Sequence, residues 1–212
     1  MQRSKSTRLI PILIILVIVI VAIVGVVSVG RSLFNSSSSE ETTKVEENVD
    51  KGRTTLLDVK DGSSVKMSVR GPIVADEAFQ SYAISVSASS RTVTTYSGYL
   101  DTVKKKKSLD NNTKAYEQFV YALDKANYMK GVVPADDDKN DLRGICATGY
   151  VYEYSVLSGG TVVKRLWAST CKGSPGSLDA STQQLNNLYF DQIPGSEDIV
   201  PFTGQSRSRF DF

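Results

Sequence analysis

The chain has 212 residues, with 25 lysines and arginines against 23 aspartates and glutamates, and it contains no histidine. A balance this close to neutrality gives nucleic acid nothing to grip. The missing histidine removes His-assisted Ser or Cys nucleophiles, His-ligated zinc and the commonest general base together.

Residues Leu9 to Val29 form an uncharged run, LIPILIILVIVIVAIVGVVSV, interrupted only by Pro11, Gly25 and Ser28. As a helix, such a run spans roughly 30 Å, the thickness of a bilayer's hydrocarbon core. Arg3, Lys5 and Arg8 precede it without an acid, and Arg31 followed by Glu40, Glu41, Glu46 and Glu47 comes after it. Retention of positive charge on the cytoplasmic side predicts a basic cytoplasmic segment over 1–8, a single-pass anchor over 9–29 and an extracytoplasmic remainder. A cleaved signal peptide would have a shorter apolar region and a better small-residue site than Ser28 and Gly30 provide. A pilin-like start would need a small residue before the apolar run and a glutamate just inside the mature chain, and neither is present.

Residues 30–53 are polar and nearly free of large apolar side chains after Phe34, which predicts a flexible tether. Asn35-Ser36-Ser37 and Asn111-Asn112-Thr113 match a glycosylation sequon, which matters only in a eukaryotic secretory pathway. A domain over 54–202 follows. Its first elements read as strands Thr54–Val59 and Ser64–Arg70 around Asp61-Gly62, a hairpin signal. Ser63 and Lys66 match an S-x-x-K pattern, but they enter a strand, where serine and lysine do not meet. A second hairpin is predicted from Phe79–Val86 and Thr92–Tyr99, with Tyr82, Ile84 and Val86 alternating with Ala83, Ser85 and Ser87. Lys104 to Lys107 read as a solvated loop, with contact to an anionic polymer or a membrane as the sharper alternative.

Asn111 or Asn112 then caps a helix whose Tyr116, Phe119, Val120, Leu123 and Ala126 recur at three and four, with Gly131 as the stop. Asp136, Asp138 and Asn140 have the spacing of the first ligands of a calcium loop. Asp141 stands where glycine is needed and Ala147 where the final glutamate belongs, so a solvated acidic loop is expected and no metal site. A third hairpin joins Gly144–Leu157 to Gly160–Cys171. A last helix runs from about Thr182 to Gln192, with Ser181 and Gln184 as a capping box and Pro194-Gly195 as a stop, before a loose tail over 203–212.

A two-residue turn at Ser158-Gly159 would place Cys146 directly opposite Cys171 in a non-hydrogen-bonded pair, close enough to bridge. An extracytoplasmic pair of cysteines favours that disulfide. The same register aligns Trp167 with Tyr150, Arg165 with Tyr152 and Val163 with Tyr154 on the cysteine face. Tyr150, Tyr152, Tyr154, Arg165 and Trp167 are therefore the candidate binding surface, provided the helices cover the other, aliphatic face. The competing reading packs these aromatics as core around the disulfide.

Val69-Arg70-Gly71-Pro72-Ile73-Val74-Ala75-Asp76-Glu77 resembles a stretch of exported proteins from ultrasmall epibiotic bacteria, the Saccharibacteria. Leu166-Trp167-Ala168-Ser169-Thr170-Cys171, Gln192-Ile193-Pro194 and the anchor ending in Gly30-Arg31-Ser32-Leu33-Phe34 are similar to the same group. The resemblance implies a bacterial cell-surface setting and carries no catalytic residue. The expected architecture is α+β: an N-terminal transmembrane helix plus one extracytoplasmic domain, with an antiparallel sheet of about six strands in three hairpins and two helices. The expected role is non-enzymatic binding or scaffolding at the envelope, with the membrane and an envelope polymer or surface protein as partners, no nucleic acid and no cofactor. The alternatives are a carboxylate enzyme acting on glycans and a pilin-like or secretion-machine subunit.

Overall fold

A computed structural model of the chain describes residues 50–133 and 140–203, all within the compact unit Val49–Phe212. The predicted anchor, the cytoplasmic segment, the tether up to residue 49, Asp136 and Asp138, and the tail from residue 204 lie outside the described residues. Among the described residues no helix is long and apolar enough to cross a membrane.

Helix α1 spans Lys51–Leu57, and strand β1 spans Ser63–Arg70. A single 3-10 turn at Asp76–Ala78 leads into β2 (Gln80–Ser87), β3 (Ser90–Ser97) and β4 (Thr102–Asp110). Helix α2 (Thr113–Lys125), strands β5 (Val151–Ser158) and β6 (Thr161–Ser169), and helix α3 (Thr182–Phe190) complete the domain. The six strands form one antiparallel sheet in the order β4-β3-β2-β1-β5-β6. The α+β class and the strand number agree with the sequence reading.

One row across the sheet shows how alternation builds the core. Lys107, Val93, Ile84, Met67, Tyr154 and Leu166 are successive register partners from β4 to β6. The four apolar side chains between Val93 and Tyr154, and Leu166 beyond them, are fully buried, while the row ends in a lysine at the edge. Leu56 of α1, Tyr116, Phe119, Val120 and Leu123 of α2, and Leu185, Tyr189 and Phe190 of α3 belong to the same buried cluster. All three helices therefore cover one face of the sheet. Asn112 caps α2 by accepting from Ala115 N at 2.9 Å, and Ser181 caps α3 by accepting from Gln184 N at 3.3 Å, as the cap signals predict.

Three elements differ from the sequence reading. Thr54–Val59 is not a strand: residues 51–57 are helical, so there are three helices and not two. The helix-start signal is Asp50, whose carboxylate accepts from Gly52 N and Arg53 N, and it lay in the segment read as tether. Arg53 then holds Asp124 of α2 through two hydrogen bonds of 2.7 and 3.0 Å, and Leu56 enters the core. These tertiary contacts outweigh the β preference of Thr54, Thr55 and Val59.

The lysine run is not a loop but the middle of β4. Lysine is a poor strand former in general, yet this is an edge strand, where lysines block pairing with a second sheet. Ladder bonding to β3 supplies the conformation that propensity does not.

The third hairpin turns at Gly159-Gly160, with φ of 58° and 80°, and not at Ser158-Gly159. Both central residues have positive φ, as in a type I′ turn, a conformation that two glycines adopt at no steric cost and Ser158 does not. A bulge between Val156 and Leu157 then leaves Val163 without a partner and advances the register by one residue more. Moving the turn alone would have kept each side chain on its predicted face. The bulge is what reverses the faces of β6 relative to β5.

Candidate functional site: the uncovered face of the sheet

Tyr152 and Tyr154 of β5 do share a face with Tyr150 just before the strand, and it is the covered one. Tyr152 and Tyr154 are 1% and 0% exposed. The Tyr154 hydroxyl donates to Asn186 Oδ1 of α3 at 2.7 Å. Tyr150, just before β5, is half-buried with its ring centroid 4.8 Å from that of Phe202. Burial pushes the Tyr152 phenol up to about 12 and raises Tyr154 well above its ordinary value. These residues are core, and the predicted aromatic platform does not form.

Trp167 and Arg165 lie on the opposite face, where Trp167 pairs with Glu153 and Arg165 with Ser155. Trp167 is 8% exposed and packs in a small cluster with Leu142, Cys146 and Val151. The disulfide joins Cys146 to Cys171, with a Cα separation of 5.4 Å. The pairing is as predicted, but it is not a cross-strand rung. Both cysteines lie outside the strands, and Cys146 sits in a turn with φ of 53°. The bridge ties segment 140–149 down over Trp167.

Two arginines clamp the same segment from below. Arg70 donates to Leu142 O and Arg165 to Asn140 O, both at 3.0 Å, and Glu153 stands between them at 3.7 Å from Arg70 Nε and 3.3 Å from Arg165. Arg165, predicted as a contact residue, is a clamp.

Beyond this corner no helix among the described residues covers the face. Its side chains run Ser64, Lys66, Ser68 on β1, Ala83, Ser85, Ser87 on β2, Thr92, Thr94, Tyr96 on β3 and Lys106, Ser108 on β4. In register they form rows such as Ser108, Thr92, Ser85, Lys66 and Ser155. Small hydroxylated side chains thus tile a flat surface, and Lys66 and Lys106 project from it. Thr92 Oγ1 and Ser108 Oγ lie 2.9 Å apart across two strands, so neighbouring hydroxyls bond to one another.

At one end of the sheet a groove of about 660 Å³ has the end of β3 as its floor. Lys104 and Lys105 of β4 stand on one side, and Asp76 and Glu77 of the 3-10 turn on the other, with Asp198 to Pro201 closing it. Away from the groove, Asp124 is lowered by its hydrogen bond from Arg53, and Asp141 falls to about 2 beside Arg143. Among the described residues no cluster of His, Cys, Asp and Glu is arranged to hold a metal ion.

No protein-family model matches this chain, and neither does any curated protein. The site therefore rests on its own geometry. Alternation of serine and threonine with buried aliphatics in β1 and β2 was the sequence signal for the open face.

Proposed function

We propose that the chain is a single-pass membrane protein, N-terminus inside, whose extracytoplasmic domain binds an anionic polymer of the cell envelope without catalysing a reaction. The observation that carries this reading is the uncovered face of the sheet: rows of serine and threonine hydroxyls with Lys66 and Lys106 rising from them. Hydroxyl groups exchange hydrogen bonds with a hydrated polyol or sugar chain at little cost, because both partners surrender water of similar strength. The lysines add long-range attraction for phosphate or carboxylate groups spaced along such a chain. A repeating ligand suits a flat surface, since many weak contacts along one strand of polymer add up.

The test uses the full chain in detergent micelles, with polyglycerol phosphate and neutral dextran as probes. The expected result is saturable binding of the polyphosphate only, weakened about tenfold by Lys66→Glu with Lys106→Glu and by raised salt. Equal binding of both probes, or a variant that binds as well as the parent, overturns the reading.

A further inference from the structure

We infer that the groove at the end of β3 is a second binding site, built for a short zwitterionic peptide. It is separate from the open face and does not depend on it.

The groove has charges of opposite sign on its two sides, and they do not neutralise each other. Lys104 and Lys105 stand on the β4 side, with Glu77 opposite and Asp198 on the closing segment. Among the described residues none of these four makes an ion pair with another side chain. Asp76 is occupied differently: its Oδ1 accepts from Tyr99 N at 2.7 Å, which fixes the turn that carries Glu77. All four unpaired groups are solvent-exposed, so the lysines and acids stand ready without having paid desolvation.

The lysine side is set by a built feature of the backbone. Thr95 pairs with Lys105 and Tyr96 with Val103, so Lys104 is the extra residue of a bulge. Thr95 is buried, and its hydroxyl accepts from Lys105 N at 3.1 Å, standing in for the ladder bond that the bulge removes. Bulges re-aim side chains at sheet edges, and this one places consecutive lysines at the groove.

A simple anion would be repelled by Glu77 and Asp198, and a simple cation by the lysines. A ligand carrying both an ammonium and carboxylates a few bonds apart satisfies both sides. The volume suits two to four residues of peptide, within the range of small-ligand sites.

The test is fluorescence anisotropy with dye-labelled lysyl-glutamyl-alanine and the full chain in detergent micelles. Lys105→Glu and Asp198→Lys are made singly, and matched thermal midpoints show that each folds. Saturable binding that both variants weaken, each about tenfold, is the expected result. If Asp198→Lys tightens binding while Lys105→Glu weakens it, the groove takes anions and the proposal is wrong. The converse pattern makes it a cation site, and absence of saturable binding also overturns it. Polyglycerol phosphate binding through Lys66 and Lys106 is untouched by any of these outcomes, so the two sites fail independently.

Discussion

Phenols are awkward in a dry interior, because each hydroxyl must find a partner or give up its water for nothing. Six of the ten tyrosines are nevertheless fully buried: Tyr82, Tyr116, Tyr128, Tyr152, Tyr154 and Tyr189. The Tyr128 hydroxyl lies 3.1 Å from Lys66 O, 3.0 Å from Ser155 O and 2.5 Å from Tyr189 Oη. It has one proton to give to the carbonyls, so Tyr189 donates to it. Tyr128 thereby stitches α2's trailing turn to paired residues of β1 and β5 and to α3. Burial raises the pKa of all six phenols, Tyr152 to about 12.

The sign of the consequence follows from proton counting. Up to about pH 10 both folded and unfolded chains keep these protons; above it only the folded chain does, so stability falls with rising pH by about 1.4 kcal/mol per unit for each phenol. The domain should therefore unfold cooperatively between about pH 10 and 12, with a block of phenolate absorbance appearing at the same midpoint as loss of far-ultraviolet dichroism. Phenolate appearing gradually while the dichroism holds would refute this account.

Among the elements, the β5–β6 hairpin shows where local signals run out. Its existence, its strands and its disulfide were legible: alternation marks the strands, and two cysteines near the ends of one hairpin invite pairing. Its faces were not, because one unpaired residue, Val163, reverses them and a bulge leaves no mark in composition. Helix α1 was missed for a related reason, since what stabilises Lys51–Leu57 is Asp124 and Lys164, far along the chain. The caps of α2 and α3 were readable because capping is a matter of neighbours. The open face was readable in its alternation, whereas the groove was not, since its sides come from three segments that only the fold brings together.

The disulfide's contribution is also an element-level question. Closing a loop of 25 residues is worth about 3 kcal/mol in the chain-entropy account. Here the bridge also holds segment 140–149 over Trp167, the single tryptophan. Replacing both cysteines, Cys146→Ser with Cys171→Ser, should lower the thermal midpoint and shift tryptophan emission to the red in the folded state, while the sheet's dichroism is retained. Unchanged emission would mean that the arginine clamps alone keep the segment in place.

At the level of the whole molecule, the two sheet edges are protected by different means. The outer edge of β6 is covered near its end, where Ser177 N and Leu178 N both donate to Trp167 O, at 2.9 and 3.0 Å. Among the described residues nothing covers β4 in this way, and its outer edge carries charge instead, with Lys104 to Lys107 in one run. Replacing Lys104 and Lys106 by threonine should leave the fold intact and make the protein self-associate with rising concentration, as sedimentation velocity would show. A variant that stays monomeric would assign those lysines to ligand binding alone.

The strand order has a consequence for how the chain comes together. β1 is the first strand made, yet it ends in the middle of the sheet, flanked by β2 on one side and β5 on the other. As the polypeptide emerges, β1 to β4 can zip into a meander at once, while the far side of β1 waits for β5 with its main-chain amides unpaired and Val65, Met67 and Val69 half sheltered. A nascent chain stalled in that interval presents a sticky seam to its neighbours. Folding of this protein would thus depend on a holdase, or on a slow enough supply of chains, until the glycine turn has closed the last hairpin.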